Sequence, residues 1–457
     1  MNDTQEKVID QINAFLKDKA IYYLANDPER ALSLEDLISN FHIVHLEQSQ
    51  YLETFAAHHL KYFCLEKQLK SSSFPHHSAY QIIKNPLFQD YFQKTKKSQN
   101  FIQTFKISAA FTKEGEKLGA ISLNTTALLN RTFENKLPQY QILKDLPVTL
   151  PKTNITKLNT AEFSKLKAEL GLPLVVQFNR GHTGEGTKIV ETEEQFQELK
   201  NQFQEREVKI SEFINGLPYT LNAVVGKKAT YLSGLSYQLT GIPELTPNPS
   251  GTVGNDWGYR EGIDQKVLTN IVKQLTIIGQ KMREQGYLGL FGIDLIIKDK
   301  QVYIIEINAR QPASVPMFSK IQLKNQDIPL ALIHLLEFFQ LDYQLDEKLY
   351  NERNLQPVKF SQIFQRMPKA GIINQQFKQG IYQNDSGTNL TWQSNEYDST
   401  RCQSNELVIL APIQGKHLQT GAELARIQIP KSITVSHNQI DHKIIAIHQN
   451  IRNLSFN

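Results

Sequence analysis

Apolar residues in the first 125 positions switch repeatedly between helical and strand spacing. MNDTQEKVIDQINAFLKDKA has the pattern of a charged amphipathic helix, AIYYLAN is an apolar strand ending at Asn26, Asp27 and Pro28, and Leu32 to Phe41 has helical spacing. HIVHLEQ and YFCLEKQ are short strands flanking a helical stretch around Tyr51 to His59. Residues 78 to 118 are dominated by helical patterns, SAYQIIKNPLFQDYFQK and then QTFKISAAFTKEGEKLG, and AISLN at 120 to 124 is a further strand. Strands alternating with helices predict a parallel sheet wrapped by helices. No glycine-rich turn follows the first strand, which excludes a dinucleotide fingerprint.

Ala127 to Leu146 is helical again, with Asn130, Arg131 and Lys136 among apolar positions, until Pro147 and Pro151 break it. TAEFSKLKAELG is a helix closed by Gly171, and PLVVQFNRGHTGEGTKIV gives a buried strand, a glycine-rich turn and a strand resuming at Thr187. A polar helix over 191 to 206 leads to VKISEFINGLPYTLNAVVG, a strand, a turn at Asn215–Gly216 and a second strand. ATYLSGLSYQL predicts another strand, TPNPSGTVGNDWG (246 to 258) a long loop, and QKVLTNIVKQLTIIGQKMREQG a helix. After a hairpin over Gly286 to Ser314, IPLALIHLLEFFQL is a strongly apolar helix. From about Asp342 the chain is rich in Asn and Gln, with short β-like runs (KFSQIFQRM, ELVILAPI, ELARIQI) and turns at Gly415 and Gly421.

The hairpin GYLGLFGIDLIIKDKQVYIIEINARQPAS carries the first chemistry. Alternation places Val302, Ile304, Glu306 and Asn308 on one face of its second strand, and Asp294 falls opposite Glu306 if Asp299, Lys300 and Gln301 form a three-residue loop. Two opposed carboxylates on a buried face require a cation between them, and with the Asn308 amide they suit Mg2+; an edge hairpin with its acids in water is the alternative. Glycines 181, 184 and 186 can aim several N–H groups at phosphate oxygens, although Thr187–Lys188 breaks the Walker order. An ordinary hairpin loop remains open there. Glu212 and its neighbours either offer free backbone groups to a flat ligand or form a plain hairpin shoulder. Asn255, Asp256 and Trp257 line an acceptor site or sit in a plain structured loop.

Composition narrows the class. At 457 residues there is room for two to four domains, and 40% hydrophobic with 21% charged residues describes an ordinary globular protein. Lys plus Arg number 50 against 46 for Asp plus Glu, a net charge of +4 that leaves no electrostatic footprint for nucleic acid or membrane. Cys64 and Cys402 form no metal or redox motif, and His58–His59 and His76–His77 are adjacent, away from ligand spacing. Without a signal peptide or a long apolar run, a cytoplasmic protein is expected.

The series formed by Lys136, the strand and glycine-rich hairpin of 174 to 190, Glu212-Phe213-Ile214, and Glu306-Ile307-Asn308-Ala309-Arg310 resembles the ATP-grasp superfamily. The likeness is to its carboxylate–amine ligases and their relatives biotin carboxylase, carbamoyl-phosphate synthetase and D-alanine–D-alanine ligase. It covers roughly residues 80 to 340 and is strongest in GIDLIIKDKQVYIIEINAR. The resemblance implies a mixed α/β and α+β chain. A Rossmann-like domain would span 1–125, an ATP-grasp domain of two α+β subdomains clasping ATP 126–342, with its lid at about 150–225, and a small β-rich accessory domain 343–457.

Residue by residue, the resemblance implies that Asp294, Glu306 and Asn308 hold Mg2+, with Mn2+ as an alternative. His182, Thr183, Gly184, Glu185 and Gly186 would close over the ATP phosphates, and Lys136 would contact them from below. Glu212 with the backbone of Phe213 and Ile214 would hold adenine, and Arg310 would orient the carboxylate and stabilise an acyl phosphate. The implied reaction joins a small-molecule carboxylate to an amine, such as amino acids or peptides, and releases ADP and phosphate; a homodimer is compatible with it. An inactive nucleotide-binding protein and a carboxylase-type enzyme acting on bicarbonate are the alternatives. Two positions depart from the pattern. Gln177 stands where the family commonly has a phosphate-contacting lysine, so that Arg180 or Lys188 compensates or turnover is lost, and Leu217-Pro218-Tyr219 replaces a frequent ribose-binding glutamate.

Overall fold

The strand Lys19–Ala25 (β1) is apolar on both faces, and both faces are covered. Ala20, Tyr22 and Leu24 pack against Phe88, Phe92 and Phe111 of two flanking helices, whereas Ile21 and Tyr23 join Leu332 and Leu336 of the helix Leu330–Phe339. That two-sided burial is what a central parallel strand requires. Phe41–His45 (β2), Lys61–Cys64 (β3), Gln99–Thr104 (β4) and Ile121–Ser122 (β5) complete a parallel sheet in the order β3-β2-β1-β4-β5. The chain is seen here as a computed structural model that describes residues 3–69, 78–179, 186–375, 377–386 and 389–456.

Thr153–Lys157 (β6), Leu174–Phe178 (β7), Thr187–Val190 (β8) and Glu207–Glu212 (β9) form a second, antiparallel sheet ordered β6-β9-β7-β8. Its inner face, Leu174, Val176, Val208 and Ile210, packs on Leu166 and Phe196 of the two helices predicted to flank it.

The third sheet is the largest. It takes in Leu217–Val225 (β10), Thr230–Leu232 (β11), Ser236–Thr240 (β12), Thr252–Asp256 (β13), Gly289–Lys298 (β14), Gln301–Asn308 (β15) and Ser361–Arg366 (β16). Gly371–Ile372 (β17) and His417–Leu418 (β21) pair apart from it, while Gly380–Ser386 (β18), Asn389–Ser394 (β19), Glu406–Leu410 (β20) and Glu423–Ile429 (β22) extend it. The order β15-β14-β10-β12-β13-β16-β22-β20-β18-β19 runs without a break from the acidic hairpin into the C-terminal region. The β-rich C-terminal strands are therefore built onto the same sheet as the hairpin.

YFCLEKQ is strand only to Cys64 and then a helix over Leu65–Leu69, ATYLSGLSYQL divides into β11 and β12, and three further expected elements differ. No helix forms over Leu32 to Phe41; a single 3-10 turn at Pro28–Ala31 precedes a looped segment. Asn13 of the first helix accepts from Ser39 N at 2.7 Å and donates to Leu37 O at 2.9 Å, so tertiary hydrogen bonds replace helical ones. The stretch QTFKIS begins with β4, not helix. Its buried Asn100 and Gln103 disguised the strand, and Asn100 is satisfied by Lys97 N at 2.8 Å and Lys97 O at 2.9 Å. The loop 246–258 contains β13, seated between β12 and β16, with Gly254 where any Cβ would collide with the Gln362 carbonyl.

Candidate active site

The acidic hairpin turns on two residues. Asp299 and Lys300 both have left-handed φ, +49° and +64°, and Lys298 pairs directly with Gln301, so the expected three-residue loop is a two-residue turn. The missing residue reappears as a bulge. Ile296, Ile297 and Leu295 pair with Tyr303, Val302 and Ile304, but Asp294 pairs with Glu306, leaving Ile305 as the extra residue of β15. This shift corrects the expected common face. Val302 and Ile304 point into the core with Ile307, whereas Glu306 and Asn308 point the other way, opposite Asp294 and Gly292. The acids thus share a polar face, not an apolar one. Thr220 and Asn222 of β10 continue that face beyond Asp294 and Gly292.

The outer edge of β15 is closed by side chains. Gln139 donates to Ile307 O at 2.9 Å and accepts from Ile307 N at 3.1 Å, and Asn130 donates to Ala309 O at 2.7 Å. Further along, Thr149 O accepts from Ile304 N at 2.9 Å. This docking brings the helix Lys136–Leu143 against the hairpin, and Lys136 Nζ reaches Glu306 Oε1 at 2.8 Å.

At the other end of the strand, Asn308 Nδ2 donates to Asp294 Oδ2 at 3.1 Å, and the Arg310 guanidinium donates to Asn308 Oδ1 at 2.9 Å and to Glu134 Oε1 at 3.0 Å. Burial first, and then the facing Glu306, push Asp294 up to about 6, against the hydrogen bonds from Thr220 and Asn308 and the charge of Arg310. Burial works against ionisation of Glu134 as well, but Arg310 and Lys106 overcome it and hold that carboxyl below its ordinary value. Two carboxylates facing each other on one polar face fit a hard divalent cation that keeps further positions for water or phosphate, and Asn308 joins them as a ligand once its amide turns Oδ1 from Arg310 toward Asp294. Among the described residues no cluster of three His, Cys, Asp or Glu side chains suits a metal.

Above this face lies the antiparallel sheet of β6 to β9. Gln177 on β7 pairs with Lys209 on β9 and with Thr187 on β8, so all three look away from that sheet's own core, and Gln177 Nε2 donates to Thr187 Oγ1 at 3.3 Å. Lys209 is 6% exposed, and burial, opposed by nearby Glu306 and reinforced by Lys136, pulls its ammonium down to about 8. Lys188 is exposed and pairs with Val176, which puts it on the opposite face from Gln177. Arg180, Gly181, His182, Thr183, Gly184 and Glu185, like His76 and His77, lie outside the described residues; Gly186 is described, and its carbonyl accepts from Phe178 N at 2.9 Å.

Where β9 gives way to β10, Phe213 to Gly216 leave both strand ladders. Phe213 is 42% exposed, Ile214 is buried, and Glu212 accepts from Lys152 N at 2.7 Å, so one carboxylate oxygen anchors the start of β6. Asp256 and Trp257 belong to the framework. Asp256 receives Ile433 N and Thr434 N, each at 2.8 Å, and Trp257 stacks on Phe318 with 5.8 Å between ring centroids.

Several members of the site escaped the sequence reading. Lys209 left a faint trace, since Val208 and Ile210 are core residues and alternation turns the lysine between them outward. Glu134, Arg30 and Phe105 left none, because tertiary packing alone brings them together: the guanidinium carbons of Arg30 and Arg310 lie 4.3 and 4.8 Å from the Phe105 ring centroid.

Residues 133–314 match the family described as ATP-grasp domain. That stretch of the chain is similar to an ATP-grasp domain. Among curated relatives, it is 25% identical over 139 residues to the [butirosin acyl-carrier protein]–L-glutamate ligase of Niallia circulans, covering 30% of this chain and 32% of that one. It is 26% identical over 262 residues to the carbamoyl phosphate synthase large chain of Sulfurisphaera tokodaii, covering 55% and 24%. The matched part of the chain spans about a third or less of these relatives.

The fold is shared far more widely than the sequence. The biotin carboxylase domain of Hydrogenobacter thermophilus 2-oxoglutarate carboxylase, solved as a dimer with MgADP, ADP and bicarbonate, superposes with a TM-score of 0.61 at 10% identity, over 90% of this chain and 86% of that one. N5-carboxyaminoimidazole ribonucleotide synthetase of Thermus thermophilus gives 0.56 at 12% identity, over 95% and 97%. The shared fold therefore includes the N-terminal parallel sheet and the C-terminal strands. Among the described residues no helix is long and apolar enough to cross a membrane.

Proposed function

We propose that this chain is an ATP-dependent, ADP-forming ligase that phosphorylates a carboxylate and passes the acyl group to an amine. The observation that carries this reading is the continuous polar line along the hairpin. Lys136 bonds Glu306, Glu306 faces Asp294, Asp294 bonds Asn308, and Asn308 bonds Arg310. Cations close both ends of a facing carboxylate pair, an arrangement suited to gathering phosphate and carboxylate anions around one centre. The similarity to proteins named as a glutamate ligase and a carbamoyl phosphate synthase, and a fold shared with a domain that binds MgADP, support it.

In this reading Asp294, Glu306 and Asn308 would hold Mg2+, which supplies charge neutralisation for the ATP phosphates. Lys136, released from Glu306, binds phosphate oxygens, and Phe213 and Ile214 present backbone groups to adenine beside Glu212; the phosphate-covering role expected of 182–186 falls, Gly186 apart, outside the described residues. Arg310, fixed by Glu134 and Asn308, orients the carboxylate with a planar, paired set of donors. A carboxylate oxygen then attacks the γ-phosphorus and ADP leaves. The amine nitrogen attacks the acyl carbon next, phosphate departs, and the nitrogen loses a proton, with no protein nucleophile needed.

The carboxylate and amine are assigned to the depression where Phe105, Asn124 and Asn130 meet Arg310 and Gln311. An ADP-release screen against pooled carboxylates and amines, with Glu306→Ala as the blank, tests the reading. ADP and phosphate are expected only when both substrates are present. AMP with pyrophosphate would refute it, and ADP release with bicarbonate alone would favour a carboxylase-type reaction.

A further inference from the structure

We propose that Lys209 is a phosphate-binding residue of the lid, supplying from β9 the positive charge that Gln177 on β7 does not carry. This rests on the reading of the cleft as an ATP site. Four residues make a row across the outer face of the lid sheet: Ile155, Lys209, Gln177 and Thr187, each paired with the next. Their neighbours Val176, Val208 and Ile210 face the lid core, so the row faces the hairpin and the helix that bears Lys136.

Lys209 is as buried as Lys136, but the two differ in partners. Lys136 bonds Glu306, whereas among the described residues Lys209 makes no hydrogen bond or ion pair, and the Tyr140 ring lies 5.9 Å from its ammonium, at the outer limit of a cation–π contact. A buried ammonium without an anion is strongly disfavoured, and the charge of Glu306 is already shared with Lys136. Asp294, the other carboxylate of that face, is bonded by Asn308, so neither acid is bonded to Lys209 and its ammonium is left without an anion partner among the described residues. A phosphate group between the lid and the hairpin restores the balance. Lys188, on the other face of the lid, is unable to do so.

Calorimetric titration of the full chain with ATP, ADP and adenosine at fixed Mg2+ tests this. Lys209→Met is expected to weaken ATP and ADP by about 10- to 100-fold, the worth of a charge-assisted hydrogen bond, and to leave adenosine unchanged. Gln177→Lys combined with Lys209→Met, which carries the charge across the strand pair, is expected to recover most of that loss. Melting curves verify the fold of each variant, with Lys209→Gln in reserve if the methionine variant fails to fold. A folded Lys209 variant that binds ATP as wild type does overturns the inference and leaves the nucleotide reading standing. Loss without recovery in the double variant also overturns it, since Lys209 would then be a structural residue. A wild-type chain that binds no ATP overturns both.

Discussion

Asp294 is held in a state the unliganded protein disfavours. Burial and the facing Glu306 raise it from 3.8 to about 6, so the folded chain holds this proton more tightly than the unfolded chain does. The site therefore opposes folding increasingly as pH rises from about 4 to about 6, and by a constant amount above. Asp294→Asn is expected to stabilise the nucleotide-free protein at pH 7 by about 1–3 kcal/mol while abolishing turnover, measured by denaturant unfolding and ADP release. An unchanged or lowered stability would mean the pair is compensated already. Arg310 tests a different property. Because Asn308 and Glu134 grip its planar guanidinium, Arg310→Lys is expected to cut turnover roughly 100-fold with little change in ATP binding.

The hairpin shows how far an element can be foreseen from its residues. The pairing of Asp294 with Glu306 was legible, because two acids in otherwise apolar strands make sense only when facing each other or facing water. The route to that register was not. A two-residue turn plus a bulge at Ile305 brings the same two acids together as a three-residue loop would, but it reverses the face on which they lie relative to Val302 and Ile304. Hydrophobic alternation does not reveal a bulge when the extra residue is itself apolar. The same limit hid β4, where buried Asn100 and Gln103 broke the apolar run. Gln139 is the element-scale counterpart, a helix side chain that completes the edge of β15. Gln139→Leu leaves the Ile307 N–H and C=O buried without partners and is expected to cost about 2–4 kcal/mol in denaturant unfolding, a loss that an exposed edge would not show.

At the scale of the molecule, the order of motifs along the chain was legible because each keeps a local signature, whereas the groups that connect them come from sheets brought together in space. Lys209 comes near Glu306 across two sheets, and Arg30 meets Arg310 over the Phe105 ring. The same packing buries His42, His45, His334 and His448, and loss of solvation pulls them down to about 3, 4, 4 and 3. Each contributes stability that is complete above its ordinary value of 6.5 and is lost, at about 1.4 kcal/mol per pH unit, as pH falls below it. Asp294 acts in the opposite direction, as do Glu29, Asp36 and Asp327, whose carboxyls burial also raises. The change in melting temperature between pH 7 and pH 5 is expected to be less destabilising in His448→Leu than in the wild type, since both ring nitrogens of His448 are buried without a partner among the described residues, and identical profiles would show that this histidine is hydrated. The central claim, transfer of a phosphoryl group from ATP to a carboxylate oxygen, is tested most directly with a carboxylate pool labelled with oxygen-18, supplied with ATP, Mg2+ and the amine pool. The ligase reading expects one labelled oxygen in each phosphate released by the wild type and none with Glu306→Ala; unlabelled phosphate, or label found in AMP, would contradict it.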